Sequence, residues 1–160
     1  MSYQYQPPAG WSPPGAESRT SGGFSRFLIG TLICLLVTPV GIGLAAYGAA
    51  GARQWVVAGA AADRVGSTAQ ILIGAGLLLL VAGLAAYSPA GPIIAGLAWG
   101  VSPGVIYFMS PQDTYRRITE IPLLSEETRL AVHAWVINGC VFLAGVLLVG
   151  AGAAAIFRRR

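Results

Sequence analysis

The chain has 160 residues, 55% of them apolar and 10% charged, with a net charge of +4. So few polar side chains cannot cover that much apolar surface in water, which excludes an ordinary soluble domain and points to lipid as the solvent. The positive charge does not point to nucleic acid. All ten basic residues are Arg; Arg158, Arg159 and Arg160 close the chain, and most of the others flank apolar stretches.

Residues 1–25 differ in kind from the rest. The pairs Pro7-Pro8 and Pro13-Pro14 alternate with Tyr3, Tyr5 and Trp11. Such a segment cannot bury a core, and a disordered tail with polyproline character is expected. Its functional reading is a docking segment for a cytoplasmic partner with an aromatic groove.

Four apolar stretches follow, at about 27–52, 70–87, 92–109 and 130–157, and none holds an Asp, Glu, Lys or Arg in its interior. A span needs about 20 apolar residues to cross a hydrocarbon core of about 30 Å. The first and fourth exceed that length, and the middle two fall slightly short of it. The expected fold is an all-α integral membrane protein: a four-helix transmembrane bundle behind a disordered N-terminal tail.

In the first span, Ala50-Gly51-Ala52 has the small-x-small form of a signal cleavage site. The apolar run is too long for a signal peptide and contains Pro39, so an uncleaved anchor is expected. Gly43-Leu-Ala-Ala-Tyr47 recurs as Gly83-Leu-Ala-Ala-Tyr87. Each copy is expected to end a span with Tyr at an interface. In so Ala-, Gly- and Leu-rich a chain, coincidence is a better reading of the echo than an inverted repeat.

The third span has the most specific pattern. Gly96, Gly100 and Gly104 recur at every fourth position, two overlapping G-x-x-x-G units on one helix face. Small residues let backbones approach closely, so this is the expected helix-packing face. Pro103 lies within it and Pro39 within the first span; both should kink their helices, with Ser102, Thr38 or a neighbouring helix satisfying freed carbonyls.

Residues 110–129 form a charged loop. Ser110-Pro111-Gln112-Asp113 reads as a helix start, with Ser at the cap and Pro at the first position. That helix should run to about Glu120, and Pro122 should stop it. Ser125, Glu126 and Glu127 then cap a second helix. It is expected to continue unbroken into the fourth span, about 32 residues and about 48 Å in all. On it, Glu126, Arg129 and His133 fall at i, i+3 and i+7, a polar patch whose simplest reading is an interfacial ion pair with His133 near the headgroups. Asn138, farther in, is an intramembrane polar group able to bond across helices.

No metal or other cofactor is expected: His133 is the single His, and Cys34 and Cys140 belong to no C-x-x-C pair. An even number of spans puts both termini on one side. Arginines divide five against five between the two sides; Arg26 and the terminal triplet abut the membrane directly, which favours both termini in the cytoplasm of a plasma-membrane protein.

Catalysis is not expected, because there is no carboxylate pair, P-loop or Ser/His arrangement at a workable spacing. The expected role is a non-catalytic accessory or scaffold subunit. Its partners are the lipid bilayer, a larger membrane protein or further copies of itself, and a cytoplasmic partner for the tail. The alternative is a small oligomeric transporter or channel for an uncharged or hydrophobic solute. Ion coupling is disfavoured by the absence of charge inside the spans.

Overall fold

The computed structural model describes residues 22–58, 64–120 and 125–158. Most of the expected N-terminal tail, the connection at 59–63 and the stop at Pro122 lie outside them. All regular structure among the described residues is helical: α1 (Gly22–Ala58), α2 (Arg64–Gly83), α3 (Ala90–Gly96), α4 (Ser102–Met109), α5 (Pro111–Thr119), α6 (Glu126–Ile137) and α7 (Cys140–Phe157). Four helical stretches are long and apolar enough to cross a membrane: Ser25–Val57, Arg64–Ala86, Ala90–Met109 and Cys140–Phe157.

α1 is longer than the apolar run that nucleates it. Its 37 residues reach about 55 Å, against a hydrocarbon core of about 30 Å. It starts at Gly22, within the expected tail. At its far end it runs through Arg53, Gln54 and Trp55 to Ala58, because nothing from Ala52 to Ala58 breaks a helix. The first Gly-Leu-Ala-Ala-Tyr copy therefore does not end a helix; it lies within α1, while the second ends α2 in a 3-10 turn at Leu84–Ala86. The same five residues take different roles because Ser88 and Pro89 follow only the second copy.

The prolines act through different local devices. In α1, Thr38 Oγ1 donates to Cys34 O at 2.7 Å, a back-bond that satisfies a buried hydroxyl and bends helices. In the third span, a turn of π-helix at Leu97–Val101 joins α3 to α4, and the Ser102 N–H reaches back to Leu97 O. Pro103 has no N–H to give Trp99 O, and the wider turn just before it takes up the mismatch.

The fourth span corrects an expectation. The helix from Ser125 does not run unbroken to residue 157; it stops at Ile137 and restarts at Cys140. Gly139 sits at φ 73°, and its N–H bonds Val136 O at 3.0 Å. Asn-Gly is a strong left-handed stop, one that an apolar surrounding conceals when only hydropathy is followed. The break leaves α7 with 18 residues, about 27 Å and close to one hydrocarbon thickness. α6 is thereby free to take its own direction across α1.

The interior is built from small residues. Gly74 of α2 meets Ala45 N at 2.6 Å and Gly41 O at 2.7 Å of α1, measured from where a Cβ would stand. Gly91 of α3 faces Cys34 Sγ and Gly30 O, both at 2.9 Å, on α1. Cys34, Val81, Ala95 and Leu148 form one buried cluster; Ile42, Ile118, Val136 and Val141 form a second. Large apolar side chains face outward instead, among them Leu36, Leu79 and Leu147, each at least 70% exposed. Small inside and large apolar outside is the reverse of the arrangement water selects.

Candidate functional site

The glycines of the third span are brought together against α7. Gly96, Gly100 and Gly104 are all buried. Gly100 stands directly on Gly145 Cα, with Gly145 N at 2.7 Å and Val141 O at 3.0 Å from a Cβ position. Gly96 meets Gly145 O at 2.7 Å, and Gly104 meets the Phe142 Cβ at 2.8 Å. The stripe is therefore occupied by another helix of the same chain. The matching surface on α7, Gly145 with Gly152 one end farther on, drew no notice in the sequence. Neither did the Gly41, Ala45 and Gly48 stripe that seats α2 on α1. Gly145 and Gly152 stand seven residues apart, and Gly41-x-x-x-Ala45 has Ala where the G-x-x-x-G pattern has Gly.

The Glu126, Arg129 and His133 group lies on α6, with Glu126 exposed and the other two half-buried. Ser125 caps the helix as expected, its side chain accepting from the Thr128 N–H at 3.3 Å. His133 turns toward α5, where its ring meets that of Tyr115 edge-on, with centroids 4.9 Å apart. α5 starts at Pro111 as expected, but Ser110 makes no side-chain cap bond. Its carbonyl instead receives the Thr114 hydroxyl at 3.2 Å. Glu127 is engaged with another helix: its carboxylate accepts from Tyr47 Oη of α1 at 3.2 Å.

That contact marks the edge of an open cleft of about 630 Å³ between α1, α2 and α6. Its volume lies in the ordinary range for small-molecule sites, about 300–1,000 Å³. The cleft exists because the facing positions are small. Ala46, Ala50 and Gly51 of α1 oppose Ala131 and Ala134 of α6, and Gly66 and Ser67 open the α2 side. Around this floor stand Arg53, Gln54, Gln70, Glu127, Trp135 and Asn138. The α6 contribution, Glu127, Leu130, Ala131, Ala134, Trp135 and Asn138, is one helical face about 16 Å long. Asn138 is exposed and caps the end of α6, its N–H bonding Ala134 O at 3.0 Å.

Two features hold the α1–α2 wall. Gly48 meets Ser67 O at 2.7 Å and Gln70 Cβ at 2.9 Å, and Gly51 touches the Ser67 hydroxyl. At the mouth of the hairpin the Arg64 guanidinium lies 4.5 Å over the Trp55 ring, a cation–π contact that joins the two helix ends. Arg64 is thereby drawn to Trp55, and Arg53 is the cation lining the cleft.

Chemically the cleft offers one charge of each sign, amide and hydroxyl hydrogen-bonding groups, and an indole. These recognise a polar group; His133 does not line the cleft. Among the described residues, no group of three or more His, Cys, Asp and Glu is placed to hold a metal ion, and both cysteines are free thiols. Tyr47, Arg53, Gln70, Glu127 and Trp135 carried no sequence signal as a set, because they come from three helices separated by long apolar runs. No protein-family model, no curated protein and no solved structure matches the chain.

Proposed function

We propose that this chain is a multi-pass protein of the plasma membrane, with both termini in the cytoplasm, that works by binding rather than catalysis as an accessory or scaffold subunit. The observation that carries this reading is the inside-out distribution of size and polarity. Glycine and alanine fill the helix contacts, large apolar side chains face outward, and a cleft with polar walls lies where α1, α2 and α6 meet. In lipid, helices associate through close backbone packing, because burying apolar surface gains nothing there. Spans without ionisable groups lack the side chains that mark ion-coupled transport pathways. With the glycine stripe of the third span filled by α7, the partner is assigned to the cleft and the N-terminal segment rather than to that stripe.

The test is mild-detergent capture of the tagged full chain followed by mass spectrometry and sizing. Recovery in a stoichiometric complex with a larger membrane protein is the expected result. A pure homo-oligomer enclosing a continuous pore would replace this reading with the alternative, a small transporter or channel for an uncharged solute. That alternative draws on the π-turn at Leu97–Val101 and the Gly139 break, since interrupted helices line many transporter sites.

A further inference from the structure

We propose that the cleft between α1, α2 and α6 binds the headgroup of a zwitterionic phospholipid carrying a primary ammonium, with Glu127 receiving the ammonium and Arg53 the phosphate. The inference rests on the membrane placement proposed above and goes beyond it by naming a ligand class.

The charges come first. Arg53 and Glu127 line the same cleft from different helices, α1 and α6. One charge of each sign in one site matches a dipolar ion better than an anion, which would call for two or more cations. A guanidinium donates in a fork that fits a phosphate. A carboxylate accepts the N–H donors of an ammonium, and the Tyr47 hydroxyl already bonded to it at 3.2 Å holds it in position.

The nature of the ammonium follows from its neighbours. A quaternary ammonium has no N–H and is recognised by a cage of aromatic faces. The cleft has only two aromatic side chains, Tyr47 and Trp135, whereas Gln54, Gln70 and Asn138 add carbonyl acceptors to the Glu127 carboxylate. Three N–H donors of a primary ammonium can be met by such a set.

A lipid is favoured over a free zwitterion by what surrounds the cleft. Leu130 lines it and is 56% exposed, and the cleft runs from Arg53 along α1 toward Ala46, into the apolar part of the helix. A soluble ligand has no use for an apolar continuation of this kind, while acyl chains can follow it. A volume of about 630 Å³ suits a headgroup with its glycerol, the chains remaining outside.

Native mass spectrometry of the full chain in detergent, titrated with phosphatidylethanolamine, phosphatidylcholine and phosphatidylglycerol, tests the assignment. Phosphatidylethanolamine should bind about tenfold more tightly than the other two, the effect of one charge-assisted hydrogen-bonding site. Glu127→Gln should bring it to the level of phosphatidylcholine. Arg53→Gln should weaken all three lipids alike. Ala134→Leu, which fills the floor, should abolish binding and serves as a second variant should Glu127→Gln lower the thermal midpoint. Equal binding of the three lipids, or a preference unchanged in both Glu127→Gln and Ala134→Leu, overturns the proposal. Free phosphoethanolamine should compete only far above the lipid's Kd; competition at equal concentration overturns the lipid assignment. Carbonate extraction of native membranes reports insertion separately. A chain that resists carbonate and yet shows no lipid preference refutes the headgroup site and leaves the membrane reading standing, whereas release by carbonate refutes both.

Discussion

Adding a single methyl group at Gly100 should separate two helices. A Cβ there would meet Gly145 Cα, Gly145 N at 2.7 Å and Val141 O at 3.0 Å, every one a backbone atom. A crowded side chain can rotate away, but a backbone moves only with its helix. Ordinary contact begins near 3.4 Å, so α7 must withdraw by most of an ångström along its contact with Gly96, Gly100 and Gly104. Overpacking of this kind costs about 1–3 kcal/mol. Against it stands the gain of about 1 kcal/mol that Ala brings over Gly within a helix. A net loss of up to about 2 kcal/mol is therefore expected for Gly100→Ala, and a larger one for Gly100→Leu. Gly76 and Gly150 are the controls, because a Cβ at either meets nothing within 4 Å. Gly76→Ala and Gly150→Ala should leave stability unchanged or raise it slightly. The assay is thermal or denaturant unfolding of the purified chain in one detergent, with insertion checked by membrane fractionation. Equal stability of Gly100→Ala and Gly76→Ala would refute the argument that this face is closed by backbone contact.

Gly139→Val should lower stability by about 1–2 kcal/mol, the cost of a β-branched residue at positive φ, with Gly139→Asn clearly milder; equal midpoints for the two would mean that the turn between α6 and α7 does not need the left-handed conformation. A reporter fused after Arg160 should read cytoplasmic, and an extracytoplasmic signal would invert the proposed topology and move the cleft to the other face of the membrane.

Some of the fold was legible residue by residue. The four apolar runs are local facts, and each contains a helical stretch of spanning length. The Ser125 cap and the Pro111 start were equally local, because a side chain or ring within one turn decides them. The Gly96, Gly100 and Gly104 stripe was visible as a face, since a period of four survives as geometry on any helix. What it touches was not visible. Gly145 became its partner only when α7 folded back, and the α1–α2 contact sets a Gly41-x-x-x-Ala45 pair, of a kind abundant in so Gly- and Ala-rich a chain, against Gly74. The unbroken fourth helix failed as an expectation because hydropathy outweighed a two-residue turn signal, although Asn138-Gly139 was there to be read.

The cleft shows the division most clearly. That the chain would collect its few polar groups at the ends of apolar runs follows from sequence, because the runs leave them nowhere else. Arg53 owes its place to six helical residues beyond the expected end of the first span, Glu127 to its contact with Tyr47, and Asn138 to a break in α6. Composition and local patterning settle which segments are apolar, since those depend on neighbours in the chain. Bringing one cation, one anion and a set of amides around a floor of alanines depends on the packing of three helices, and that is decided only by tertiary structure.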